Sequence, residues 1–576
     1  MLRLPRTAIE RLCHTTTGRL VGHFFQGFFD NELVAPGADV RTAVGYVLGL
    51  LFAPTCLITF YLLNTYSILI YRPAAYREAA SLIDKCFFVT FTMTVLGLLT
   101  VLAGEALFPD RRDLAILTPL PLRLHSIFVA KALALAGLLG LFFVDINLVP
   151  TLGYPPQVLA MHAGLPEMVW PIAVHAIVMV AASGFVALSF VAVQGMLLNL
   201  LSPRLYRRAT LYVQFAGMVL LVAMLLLYPF TYAQLALHNT AAYAWLPPLW
   251  FVGLYEVMLG WGNPELSALA QRALAGLAIA AAGAFLTYAV VYTRQLLRGL
   301  ESEIDVPESP GSLRNLAVGL TNQLLVRHPV ERATFYFTLA TVARSRAHRL
   351  LLAAYLGAGI GFEMLNVLHG MARFHAGQTV QLAPELLGLP LLLSFFLLTG
   401  MRMVFTIPAE LSANWVFRMA DTGDPVRALA GARKAMFVIG VLPFAVLGIP
   451  AFAMLWGWRS AALQCVFFVL LSLLLLEIVA GKLRKIPFTC SYLPGQANIV
   501  AMAVLVVLAV LTYSYDVVSI EKSLLGHPLR MLVACTVLAA VWGGVRLRNR
   551  QRHGGLPLVF EEQLEPVVRT LGLVEP

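Results

Sequence analysis

The chain alternates long apolar runs with short polar joints marked by proline. About 20 apolar residues are needed to cross a hydrocarbon core of about 30 Å as a helix. Runs of that kind occupy 44–71, 86–107, 127–149, 168–200, 209–230, 271–293, 350–371, 385–406, 435–456, 460–481, 497–514 and 528–545. The fourth is too long for one straight crossing. The pattern predicts an all-α polytopic membrane protein with about 12 transmembrane helices.

Two polar-apolar segments stand just ahead of a span. Residues 18–41 precede the first span, and "VRHPVERATFYFTLATVARSRAHR" precedes the seventh, mixing Phe335, Phe337, Leu339 and Val342 with Arg332, Arg344, Arg346 and Arg349. A basic helix bearing aromatic residues at such a place lies along lipid headgroups, so membrane lipids are expected partners. The parallel predicts two pseudo-repeated six-helix halves. The first is 1–300, with an N-terminal interfacial helix; a flexible linker, 301–314, holds "ESEIDVPESPGS"; the second is 315–576, with its own interfacial helix and a short basic tail.

Further correspondences join the halves. Gly45 and Gly49 open the first span, and Gly357 and Gly361 the seventh, a spacing that lets helices approach closely. Pro121 to Arg123 with Lys131 follow the second span, and Pro425 to Arg427 with Arg433 and Lys434 follow the eighth. The longest loop on the opposite side, 231–270, contains "WLPPLWFVGLYEVMLG", Trp245 to Gly260. It fits an interfacial or re-entrant helix, and a plain aromatic belt accounts for the same residues.

Composition narrows the class. Hydrophobic residues make up 59% of the 576, charged ones 12%, and the mean hydropathy is +0.80, which is outside the soluble range. Most of the 41 Lys and Arg residues fall before the first span, after even-numbered spans or in the tail. That asymmetry places both termini in the cytoplasm, and a bacterial inner membrane is the expected location. The formal charge of +11 therefore follows from topology, and nucleic acid is not an expected partner. The six cysteines are scattered and make no disulfide or ligand framework.

The segment "FPDRRDLAILTPLPLRLHSIFVAK", Phe108 to Lys131, joins the second and third spans. Pro119 and Pro121 break a short helix before them, "DRRDLAIL", from one that leads into the third span. A positively charged turn that only sets topology accounts for the same residues. With Glu105 at the end of the second span, Leu117, Pro119, Leu120, Pro121, Leu122, Arg123, Ile127, Val129 and Lys131 resemble a run found in membrane subunits of ABC-2 type ABC transporters of the exporter class. The Ser-Arg pair usual in that family is replaced here by Arg123-Leu124. The resemblance implies that this loop is a coupling helix docking on a separate cytoplasmic ABC ATPase subunit, a pair of which would serve the two halves. The second docking element would be Ile407 to Lys434, with Pro425, Arg427, Arg433 and Lys434; it is longer and departs from the family pattern.

No G-x-x-x-x-G-K-[ST] occurs, so the chain has no P-loop, and ATP and Mg are expected on the partner. No H-E-x-x-H, G-x-S-x-G or Cys/His metal spacing occurs either, so no metal, catalytic site or bound cofactor is expected. Charges inside spans are costly and become functional candidates: Glu105, Asp145, Glu363, Arg402 and Glu477. Glu105 and Arg402, at comparable helix ends, would either pair across the halves or snorkel separately. Asp145 and Asn147 read as water-accessible, and Glu363 as facing either a transport path or a structural partner. The leading expectation is a permease subunit of an ABC exporter, not itself an enzyme. The alternative is an ion-coupled secondary transporter of the twelve-helix type, and the third is a membrane enzyme acting on lipid-linked substrates.

Overall fold

Proline sets many of the helix starts. The ring pre-forms the helical φ and lacks only an N–H that the first turn cannot use, and helices accordingly open at Pro203, Pro247, Pro264, Pro329, Pro384, Pro425 and Pro528. Several helices therefore begin a turn or more before the apolar runs that marked them. The computed structural model describes residues 15–29, 40–69, 73–103, 124–159, 165–229, 245–298, 312–375, 384–409, 414–419, 424–481, 485–489, 512–525 and 527–554, with single positions 71, 232, 483 and 558. Among them there is no strand, and ten helices are long and apolar enough to cross a membrane. The chain is an all-α, multi-pass membrane protein. Of the other two expected spans, 350–371 lies within one continuous helix, Arg346–His375, and 497–514 falls almost wholly outside the described residues.

The chain divides into two compact units, Met1–Glu303 with Val567–Pro576, and Ile304–Pro566. The division falls inside the segment read as a linker. The first unit contains α1 (Thr16–Phe29), α2 (Val40–Leu69), α3 (Ala74–Ala103), α4 (Leu124–Leu159), α5 (Leu165–Leu200), α6 (Pro203–Leu226), α7 (Pro247–Met258) and α8 (Pro264–Arg298). Helix α5 is one unbroken helix, not two; at 1.5 Å per residue its 36 residues extend about 54 Å, more than a bilayer core. It lies at the centre, against α3, α4, α7 and α8. Gly97 on α3 allows that closeness: a Cβ there would stand 2.7 Å from Val186 of α5 and 2.8 Å from Leu221 of α6.

The second unit contains α9 (Ser312–Leu324), α10 (Pro329–Arg344), α11 (Arg346–His375), α12 (Pro384–Val404), α13 (Asn414–Met419), α14 (Pro425–Gly440), α15 (Leu442–Trp456), α16 (Trp458–Ala480), a π turn Tyr513–Val517, α17 (Val518–Leu525) and α18 (Pro528–Gly554). Its core centres on α12, where Leu391, Leu398, Met401 and Val404 are buried against Leu429 and Met436 of α14 and Phe468 and Leu476 of α16. The expected span 435–456 is broken at Val441, so α14 and α15 share one apolar stretch, Pro425–Trp456.

Candidate functional site

Each unit has one end that carries the basic joints, and there the helix ahead of the first span rests on the helix that begins the third. In the first unit, Leu20 of α1 is fully buried against Ile127 and Ala130 of α4, with Val21 and Phe24 beside them. Lys131, two turns into α4, is buried and holds its ammonium 5.0 Å from the Phe24 ring. An ammonium over an aromatic face is stabilised by the ring quadrupole, and Lys131 thereby ties the two helices. Leu117, Pro119, Leu120, Pro121, Leu122 and Arg123 lie immediately before α4, outside the described residues, as does Glu105.

The second unit repeats the arrangement with more polar chemistry. Helix α10 lies against α14 through Phe335, buried with Ala435 and Val326, and through Val342. Phe335 and Val342 therefore face protein, not the headgroups that the sequence pattern suggested. A Cβ at Gly431 of α14 would collide with the Glu331 carbonyl and the Thr334 hydroxyl of α10, so only glycine permits this contact. Asp424 caps α14 by accepting a hydrogen bond from the Arg427 N–H at 3.1 Å. The Arg427 guanidinium pairs with Asp424 at 3.1 Å and donates to His328 at the start of α10. Lys434 donates to Glu331. Arg433 reaches Glu477 of α16 at 3.3 Å, and Asn549 of α18 donates to the same carboxylate at 3.1 Å. The basic residues expected to dock a partner thus spend much of their charge inside the unit: Arg433 and Lys434 join α14 to its neighbours, and half-exposed Arg427 keeps a free aspect toward solvent.

Close by, Phe488 adopts φ 65°, a region disfavoured for a residue with a Cβ. It is pinned there by its N–H to the Phe405 carbonyl at 3.4 Å, by the Ala409 N–H to its own carbonyl at 3.0 Å, and by edge contact of its ring with His348. His348 in turn bonds the Ile407 carbonyl at 3.0 Å. The segment after α16 is in this way tied to the start of α11 and the end of α12.

No family model, no curated protein and no solved structure matches the chain. Its functional reading rests on the residues themselves.

The opposite end of the first unit holds a cluster that the apolar pattern missed. Lys85 of α3 and Glu256 of α7 form a 2.7 Å ion pair whose side chains are 2% and 7% exposed. The Lys85 ammonium lies 4.5 Å from the Trp261 ring and 5.1 Å from that of Tyr255. Around it, Tyr66 donates to Asp84 at 2.6 Å, Tyr154 donates to the Ser81 carbonyl at 2.9 Å, and His175 contacts the Tyr255 hydroxyl at 3.2 Å. Within Trp245 to Gly260, α7 is a short helix buried among α3, α5 and α8, while Trp245 ahead of it is exposed.

The other expected residues are dispersed. Glu363 is buried on α11, and Arg402, half-buried in the last turn of α12, leaves one guanidinium nitrogen buried without a hydrogen bond. Asp145 is half-buried, and Asn147, read as water-accessible, is buried and accepts from Thr92 of α3 at 2.9 Å, because α4 continues for three turns beyond it. Gly45 and Gly49 meet nothing within 4 Å where a Cβ would stand, so no close helix approach is made there among the described residues of the unit. Gly357 and Gly361 are buried, and Gly359 between them rests against Phe396 and Leu393 of α12. Among the described residues no group of His, Cys, Asp and Glu is arranged to hold a metal.

Proposed function

We propose that the chain is the membrane permease subunit of an ABC-2 type exporter in a bacterial inner membrane, with both termini cytoplasmic and its power supplied by a separate ATPase pair that binds ATP and Mg. One observation carries this reading. In both units the helix ahead of the first span is seated on the first turns of the third, directly after the proline-marked joint: α1 on α4, and α10 on α14. A partner pushing on that joint moves a surface helix and a core helix together, which is what transmission of work from a cytoplasmic motor requires. The ion-coupled twelve-helix transporter gives these seated helices no role, although a buried carboxyl taken up below is an observation in its favour.

The test is the joint itself. Replacing Pro121 and Arg123 together by Ala is expected to leave membrane insertion and yield intact while reducing copurification of a P-loop ATPase at least tenfold. Undiminished copurification of the ATPase with the double variant contradicts a docking role for this loop.

A further inference from the structure

The end of the second unit away from its basic joints buries one carboxylate with no hydrogen-bond partner. Glu521 of α17 is 0% exposed, and neither of its carboxylate oxygens has one. Gln464 of α16 and Tyr513 of the π turn lie beside it, and the Gln464 amide nitrogen and the Tyr513 hydroxyl are likewise buried without a partner. Gln464 faces the carboxyl without closing a bond of ordinary geometry. Three unsatisfied polar groups in one place are costly, and single π turns recur at functional sites.

Comparison of the units' internal connections sharpens the observation. Helix α7 precedes the last span of the first unit and lies against α3, α5 and α8. Helix α17 precedes the last span of the second and lies against α12, α16 and α18, the corresponding helices. Each bears one buried glutamate, Glu256 and Glu521. Glu256 is neutralised by Lys85 of α3. At the same distance along α12 from its first residue stands Phe395, whose ring lies 5.1 Å from that of Tyr513. Among the described residues, the second unit therefore keeps the acid without a matching base.

We propose that Glu521 is a proton-binding site, the bound proton doing for this carboxylate what the Lys85 ammonium does for Glu256. A lone buried carboxylate is neutralised by protonation far more cheaply than it is held charged. Among the described residues, the Glu521 carboxylate, the Gln464 amide and the Tyr513 phenol fall short of the six to eight oxygens that calcium takes. Of the charged groups on the elements packed against it, Arg459 on α16, Asp516 on the π turn, Lys522 on α17 itself and Arg530 on α18 are exposed, and none pairs with Glu521; Arg402 on α12, Glu477 on α16 and Arg546, Arg548, Arg550 and Arg552 on α18 lie toward the basic ends of their helices. Burial accordingly pushes the Glu521 carboxyl up to about 8, and the Gln464 amide, which favours the ionised form, partly opposes this. The inference is independent of any ATPase.

Infrared difference spectra of the purified full chain in lipid nanodiscs, titrated from about pH 5 to about pH 9, test it. In wild type minus Glu521→Gln, the carbonyl stretch of a protonated carboxyl is expected to disappear with a midpoint near 8. In Gln464→Leu the midpoint is expected to move higher. The sign carries into stability: a carboxyl raised from about 4.3 in the unfolded chain to about 8 in the folded one contributes fully below the lower value and loses its contribution as pH rises to the upper one. Wild type should therefore fall behind Glu521→Gln in melting temperature across that window and keep a constant gap above it. A carboxyl already ionised near pH 6, or a band displaced at constant pH by added sodium or calcium, overturns the proposal. So does a melting gap that does not change with pH.

Discussion

Lys85→Met is expected to destabilise the first unit by about 3–5 kcal/mol, because removing one member of a buried ion pair leaves the other charged without a counter-ion. Glu256 has no solvent to turn to: α7 is buried around it, and the Lys85 ammonium is its ion-pair partner. The double replacement Lys85→Met with Glu256→Met removes both charges and keeps apolar volume, so it is expected to recover most of the loss. Thermal unfolding in detergent, with the fraction of monodisperse protein as a second readout, checks this. A neutral single variant, or a double variant no better than the single, would mean that the pair is not what holds α7 to α3.

The second large effect is expected at the basic end of the other unit. Arg433→Met leaves Glu477, whose side chain is 6% exposed, with Asn549 to satisfy it, and a loss of about 3 kcal/mol follows. Lys434→Ala, one residue on, is the internal control: its side chain is 32% exposed, and a partly solvated pair contributes about 0–1 kcal/mol. Arg433 links α14 to α16, and Asn549 brings in α18, so the variant should also loosen the seat of α10 on α14. Comparable melting temperatures for Arg433→Met and Lys434→Ala contradict this assignment of weight.

How far the residues announced these features depends on what each signal measures. Hydropathy reports lipid-length apolar runs, and ten of the expected spans are present as helices of that kind. It does not report where a helix starts. The second run starts at 86, whereas α3 starts at Ala74; that difference leaves Asp84 and Lys85 outside the expected span and conceals the buried ion pair of Lys85 with Glu256. Glu256 lies in 231–270, which the apolar pattern leaves as a loop, because its burial comes from α3, α5 and α8 rather than from its own segment. Glu521 has the same origin: Val518–Leu525 is too short and too mixed to stand out, and it is contact with α12, α16, α18 and the π turn that buries it. The basic pair Arg433-Lys434 was visible, but its use inside the unit depends on Glu477 and Glu331, which are distant in sequence. The glycine spacings marked the right kind of contact at Gly359, between Gly357 and Gly361, whereas Gly45 and Gly49 face open space.

The deciding measurement is ATP hydrolysis by whatever complex is isolated through this chain from its own membranes. The solubilised complex is expected to contain a stoichiometric P-loop subunit and to hydrolyse ATP, and replacing Pro121 and Arg123 together is expected to lower both at least tenfold while the chain itself remains folded. A chain that is isolated alone, and that in sealed vesicles moves solute on an ion gradient with no nucleotide present, would contradict the permease reading.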